Sequence, residues 1–123
     1  MPEDRLYRSM LLDFYGELLT SRQRECYELH YNEDLSLSEI AEQCGISRQG
    51  AWDNIRRASE AMEEVEEKTG LLQRFYEIEN GLRRLMDILT AAEKAAAEGR
   101  PADGLLREAA SGIRELLRTD PAE

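Results

Sequence analysis

The chain has little of what reactive or membrane-bound chemistry requires. Its 123 residues hold one histidine, two cysteines and three prolines, and 16 basic side chains face 26 acidic ones. His30 has neither a nucleophile nor an orienting partner at a recognisable spacing, so a structural or surface role is expected for it. Cys26 and Cys44 lack further cysteines or a histidine at ligand spacing, which excludes a disulfide framework and a metal site; both are expected to be buried thiols. No glycine-rich phosphate loop occurs, so neither an enzyme nor a cofactor is expected. No apolar run approaches the ~18 residues needed to cross a bilayer, and the N-terminus shows no signal-peptide pattern, which makes the cytoplasm the expected compartment.

The shortage of positive charge is informative in the same way. The formal charge is −10, and it is spread evenly: residues 1–60 carry 7 basic and 12 acidic side chains, residues 61–123 carry 9 and 14. DNA affinity rests largely on neutralising phosphates with Lys and Arg, so strong autonomous binding to duplex DNA is disfavoured. A local patch of Arg22, Arg24, Arg48, Arg56 and Arg57 remains available, diluted by Glu25 and Asp53.

What is present is helical periodicity, organised around residues 36–58, SLSEIAEQCGISRQGAWDNIRRA. Ser36 and Glu39 have the spacing of a capping box. Ile40 and Ala41 give the first helix an apolar face, and Gly45 sits where a left-handed residue must end it. Ile46 then points to the core and Ser47 caps a second helix. At about 100° per residue, Ala51, Ile55, Ala58 and Met62 share one side of that helix. Gln49, Trp52, Asp53, Arg56 and Glu60 take the other, flanked by Arg48 and Arg57. This is a helix-turn-helix, whose exposed flank in a DNA reader enters the major groove.

Around it the expected elements are all helices. Leu6, Tyr7, Met10, Leu11, Phe14, Tyr15, Leu18 and Leu19 make one broad apolar face of a helix over 3–19. Thr20 and Gln23 form a second capping box, opening a helix to about Tyr31 with Cys26, Tyr27 and His30 or Tyr31 inward. The reading helix continues past Val65 to a stop or kink at Gly70, and Glu63, Glu64, Glu66 and Glu67 before it are expected to be a solvated face. Leu71, Phe75, Ile78, Leu82, Leu85 and Leu89, followed by Ala92 and Ala96, then repeat at spacings of four and three. Such a seam needs a partner: the same domain, the last helix or a second chain. Glu98 to Pro101 ends it. Asp103 is expected to cap a final helix striped by Leu106, Ala109, Ile113, Leu116 and Leu117, with Pro121 closing the tail.

The chain is therefore expected to be all-α: a helix-turn-helix domain over 1–69 and a C-terminal helical or coiled-coil extension over 70–123 that dimerises through Leu71, Phe75, Ile78, Leu82, Leu85 and Leu89.

Asp13-Phe14-Tyr15, Leu18-Leu19-Thr20, Gln23, Asp34-Leu35-Ser36-Leu37, Glu39-Ile40-Ala41-Glu42, Ile46-Ser47-Arg48-Gln49, Asp53-Asn54-Ile55 and Glu66-Glu67-Lys68 resemble the YlxM-type helix-turn-helix proteins of bacteria. More distantly, residues 20–60 are similar to region 4 of sigma factors, which reads a promoter element. The sequence departs from the family pattern at Gly50, where a better helix former is expected, and at Trp52, where a smaller aromatic is. The resemblance implies a non-enzymatic regulator associated with the signal recognition particle pathway, with Arg48, Gln49, Asp53, Asn54 and Arg57 facing a partner. Trp52 and Arg56 join them from the helical angles above. The partner is then the particle's RNA or its protein; the alternative is a dimeric transcription factor reading duplex DNA.

Overall fold

The computed structural model describes residues 4–118. The expected helix start at Glu3 and the turn at Pro121 lie outside the described residues. Six α-helices are present: α1 (Asp4–Tyr15), α2 (Ser21–Tyr31), α3 (Leu37–Cys44), α4 (Arg48–Thr69), α5 (Leu71–Ala97) and α6 (Asp103–Arg118). A 3-10 turn over Gly16–Leu18 follows α1, and no strand occurs among the described residues. The fold is all-α and divides into two compact units, Met1–Gln73 and Arg74–Glu123.

Side chains written into the sequence start and stop these helices. Thr20 and Gln23 exchange hydrogen bonds at the start of α2, and Ser36 and Glu39 do so at the start of α3. The Ser36 backbone N–H, followed by its hydroxyl, holds the Glu39 carboxyl below the usual range. Gly45 ends α3 at φ +68°, and the Ile46 N–H donates to the Ala41 carbonyl at 3.0 Å, closing the turn. Ser47 caps α4 by accepting from the Gly50 N–H at 2.9 Å. Gly50 thus lies in the capped first turn, where a Cβ would come within 3.1 Å of the Ser47 hydroxyl. Its departure from the family pattern gives the cap room. Gly70 ends α4 at φ +63°.

In the first unit, Leu11, Leu12 and Tyr15 of α1, Cys26, Tyr27 and Leu29 of α2, Ile40 of α3, and Ala51, Ile55, Ala58 and Met62 of α4 pack as one core, joined by Leu72. The buried side of α4 is the one its helical angles predict. Polar contacts fasten its rim. The Tyr27 hydroxyl donates to the Arg8 carbonyl at 2.7 Å, and Arg8 Nη1 donates to Glu63 at 3.1 Å. Burial works against the Arg8 charge, but Glu63, Tyr31, Tyr27 and Asp4 outweigh it and raise its pKa.

Three expectations need correction. The first helix does not run to residue 19, because Gly16 opens the 3-10 turn; Leu6, Phe14 and Leu18 are exposed rather than in the core. On α2 the inward side also includes Leu29, absent from the expected set; of His30 and Tyr31, both half-buried, Tyr31 packs against the core. The acidic run on α4 is not uniformly solvated. Glu66 accepts from the Tyr15 hydroxyl at 2.6 Å and from the backbone N–H groups of Leu72 at 2.9 Å and Gln73 at 3.1 Å. It supplies acceptors to the orphan amides that open α5, a carboxylate at a positive helix terminus.

In the second unit α5 and α6 are antiparallel. A Cβ at Gly81 would lie 2.7 Å from Leu116, and one at Gly112 would lie 2.8 Å from Leu85. Leu85, Ala92, Ala95 and Ala109 are buried. The eight-residue seam therefore splits: Leu85 and Ala92 face α6, Ile78 is half-buried, and Leu71, Phe75, Leu82, Leu89 and Ala96 are exposed. Asp103 is the first helical residue of α6 rather than the residue before it.

Two outcomes follow for stability. Nothing lies within 4 Å of a Cβ at Gly45, so Gly45→Ala meets no clash, only the left-handed backbone. It should lower the unfolding free energy by about 1 kcal/mol in urea titrations. Burial, with the Cys44 thiol beside it, pushes the Cys26 thiol up to about 11, and burial also raises the Tyr27 phenol. Unfolded, these groups lose their protons at about 8.5 and 10. The native state then holds more protons than the unfolded chain, and stability falls with rising pH. Urea midpoints should be level to about pH 8 and decline from there toward pH 11. Cys26→Ala should begin lower and decline less.

Candidate nucleic-acid or partner interface

The exposed flank of α4 follows from the burial of its opposite side. With Ala51, Ile55, Ala58 and Met62 against the core, Arg48, Gln49, Trp52, Arg56 and Arg57 are left exposed, and Asp53 and Asn54 half-buried. All seven expected contact residues thus lie within three turns of one helix, directly after the Gly45 corner. They are not equally available.

Gln49 Nε2 donates to Asp53 Oδ1 at 3.2 Å. Arg56 pairs with Glu60 at 3.1 Å and with Asp53 at 3.6 Å. Asn54 Nδ2 donates back to the Gly50 carbonyl at 2.9 Å, which turns its amide into its own helix. The groups best suited to reading base edges are therefore engaged by neighbours on the same helix. Exposed pairs of this kind are worth ~1 kcal/mol or less, so a partner can displace them, but they do not present a free basic surface. Arg48 and Arg57 make no hydrogen bond or ion pair among the described residues.

At the start of α4 the surface is concave. Leu37, Arg48, Gln49 and Trp52 line an open groove of about 640 Å³. Leu37, the first residue of α3, extends the apolar wall begun by Trp52, which is 43% exposed. The exposed flank expected from the sequence is confined to the second helix and does not include Leu37. Leu37 lies three and four residues before Ile40 and Ala41, on the same face, so it packs partly against the core and lends only its rim to the groove.

The neighbouring arginines are committed elsewhere. Arg22 Nη1 donates to Glu25 at 3.0 Å and to the Cys44 carbonyl at 3.2 Å, bracing the end of α3. Cys44 in turn donates its thiol to Glu25 at 3.4 Å. The basic patch of five is thus reduced in practice to Arg48 and Arg57, with Arg24 exposed on α2. None of the helices among the described residues is long and apolar enough to cross a membrane.

Comparison with known proteins agrees with this geometry. Residues 2–98 match the family described as "Putative helix-turn-helix protein, YlxM / p13 like". A UPF0122 protein of Thermoanaerobacter sp. (strain X514) is 48% identical over 85 residues, covering 69% of this chain and 73% of its own. One from Acetivibrio thermocellus is 48% identical over 87 residues, 70% and 72% of the two chains. One from Bacillus cereus (strain AH187) is 42% identical over 98 residues, 80% and 89%. The matched region contains the whole corner and flank, and α6 lies beyond it. The family is one of helix-turn-helix proteins rather than of enzymes, and that scaffold supports a nucleic-acid-binding regulatory role. The chain belongs to the YlxM/p13-like helix-turn-helix family of bacteria.

Proposed function

We propose that the chain is a non-enzymatic, cytoplasmic regulator of the signal recognition particle pathway, acts as a homodimer, and contacts the particle's RNA through the exposed flank of α4. The observation that carries this reading is the groove of Leu37, Arg48, Gln49 and Trp52. An indole beside an apolar wall and an unpaired guanidinium suits an unstacked base next to a phosphate, the form in which proteins read RNA loops and bulges. The family resemblance of the flanking motif supports the targeting particle as the source of that RNA.

A rigid duplex is a poorer fit. Gln49 and Arg56 are held by Asp53 and Glu60, and the same carboxylates would face phosphates in a major groove. The alternative is a sequence-specific DNA regulator of the sigma-region-4 type. It is favoured by one observation, the Gly45 corner that joins α3 to α4 as a helix-turn-helix.

Trp52 is the sole tryptophan, so binding reports itself without a label. Titration with the particle's RNA should quench its fluorescence, with the affinity falling modestly between low and physiological salt, as a few phosphate contacts dictate. Trp52→Ala, followed by anisotropy of labelled RNA, should weaken binding about tenfold or more. Arg48→Glu with Arg57→Glu should weaken it further, whereas Arg56→Ala should change little. Nanomolar binding to a defined duplex with a steep salt slope, and none to the RNA, would establish the alternative instead.

A further inference from the structure

The hairpin of the second unit seats leucines opposite glycines and leaves a second set of large residues outside. Leu116 of α6 fills the space opposite Gly81 and Leu85 of α5 the space opposite Gly112, and Ala92, Ala95 and Ala109 are buried. Leu82, Met86 and Leu89 of α5, and Leu106, Ile113 and Leu117 of α6, are between 43% and 78% exposed.

These six residues share a side. On α5 the exposed trio lies about 90° round from the residues that touch α6, counted in the direction of the chain. On α6 the exposed trio lies about 90° round from those that touch α5, in the same sense. For two antiparallel helices facing each other, equal rotations in the same sense lead to the same face of the pair. The two stripes therefore form one apolar platform. The opposite face of the hairpin carries Asn80, Arg84, Glu108 and Glu115, all exposed.

We infer that this platform is where two copies of the chain associate, hairpin against hairpin, as a four-helix bundle. This rests on the homodimer reading above and names its surface. Six aliphatic side chains about half exposed present on the order of 600 Å² of apolar surface, as large as the biggest patches of soluble monomers. That approaches the ~800 Å² per partner of a standard interface before any rim is counted. A second copy fits best because it brings an identical flat patch, self-complementary about a two-fold axis, and two antiparallel pairs stack as a bundle. Nucleic acid has nothing to hold here: by helical angle no Lys or Arg falls within the stripes, and Glu93 is the charge that does.

The test is sedimentation equilibrium of the full chain at low and at 0.5 M salt. The wild type should be dimeric at micromolar concentration in both, since an apolar interface is not screened. Leu82→Glu and, on the other helix, Ile113→Glu should each weaken association at least about 100-fold, with unchanged helical circular dichroism. Leu18→Glu, an exposed leucine of the first unit, should leave the dimer intact. A wild type that stays monomeric at 100-fold higher concentration would overturn both the dimer and this surface. A dimer that survives both platform variants, or that Leu18→Glu alone dissolves, would keep the dimer and overturn this surface. RNA binding by the Leu82→Glu monomer, measured in parallel, reports on the α4 interface independently.

Discussion

The burial of one narrow stripe on α4 governs the rest of the first unit. Ala51, Ile55, Ala58 and Met62 are almost completely enclosed by α1, α2 and α3. Two of the four are alanines, so the neighbouring helices approach closely, and the stripe is too narrow for the helix to rotate without exposing Ile55 or Met62. Each such apolar side chain contributes about 1.5–3 kcal/mol through burial. Rotation is thereby fixed, and with it the identity of the residues on the far side. The interface is a consequence of the core.

That interface belongs to an acidic protein, and its electrostatics reflect the fact. A high-affinity duplex reader accumulates unpaired cations. Here Arg56 and Gln49 are spoken for within their own helix, Arg22 braces the turn, and Arg8 is tied to Glu63 on the far side of the bundle. What remains is sparse: Arg57, and the groove that Arg48 lines with the Trp52 indole. On the proposed reading, such a surface suits discrimination by shape and stacking more than by charge.

The second unit solves a different problem with the same periodicity. A heptad-like run can serve one partner or two. Glycine and alanine at the inner positions let α5 and α6 approach so closely that leucines opposite them nearly fill the gap. Leu85 and Leu116 take the spaces the glycines leave, while Leu82, Met86 and Leu89 fall about a quarter-turn away and stay exposed. The apolar residues of α5 thereby fall on two sides, one against α6 and one exposed.

Much of this was written in the linear chain. Capping boxes at Thr20 and Ser36, left-handed glycines at 45 and 70, and the inward stripe of α4 depend on interactions within about one turn, and local sequence specifies those completely. The family was legible for the same reason, since its motif is a local one. Other features rest on residues far apart in sequence. Glu66 looked like one more solvated carboxylate until Tyr15, 51 positions earlier, and the first amides of α5 converged on it. Arg56 and Gln49 are a different case: their partners Glu60 and Asp53 are one turn away, and side-chain rotamers rather than distant contacts engaged them. The seam from Leu71 to Leu89 looked single because period alone cannot say which of two adjacent faces a neighbour will cover. Periodicity determined that these helices have apolar sides; only packing, where glycines admit one helix and exclude the bulk of another, decided what each side meets.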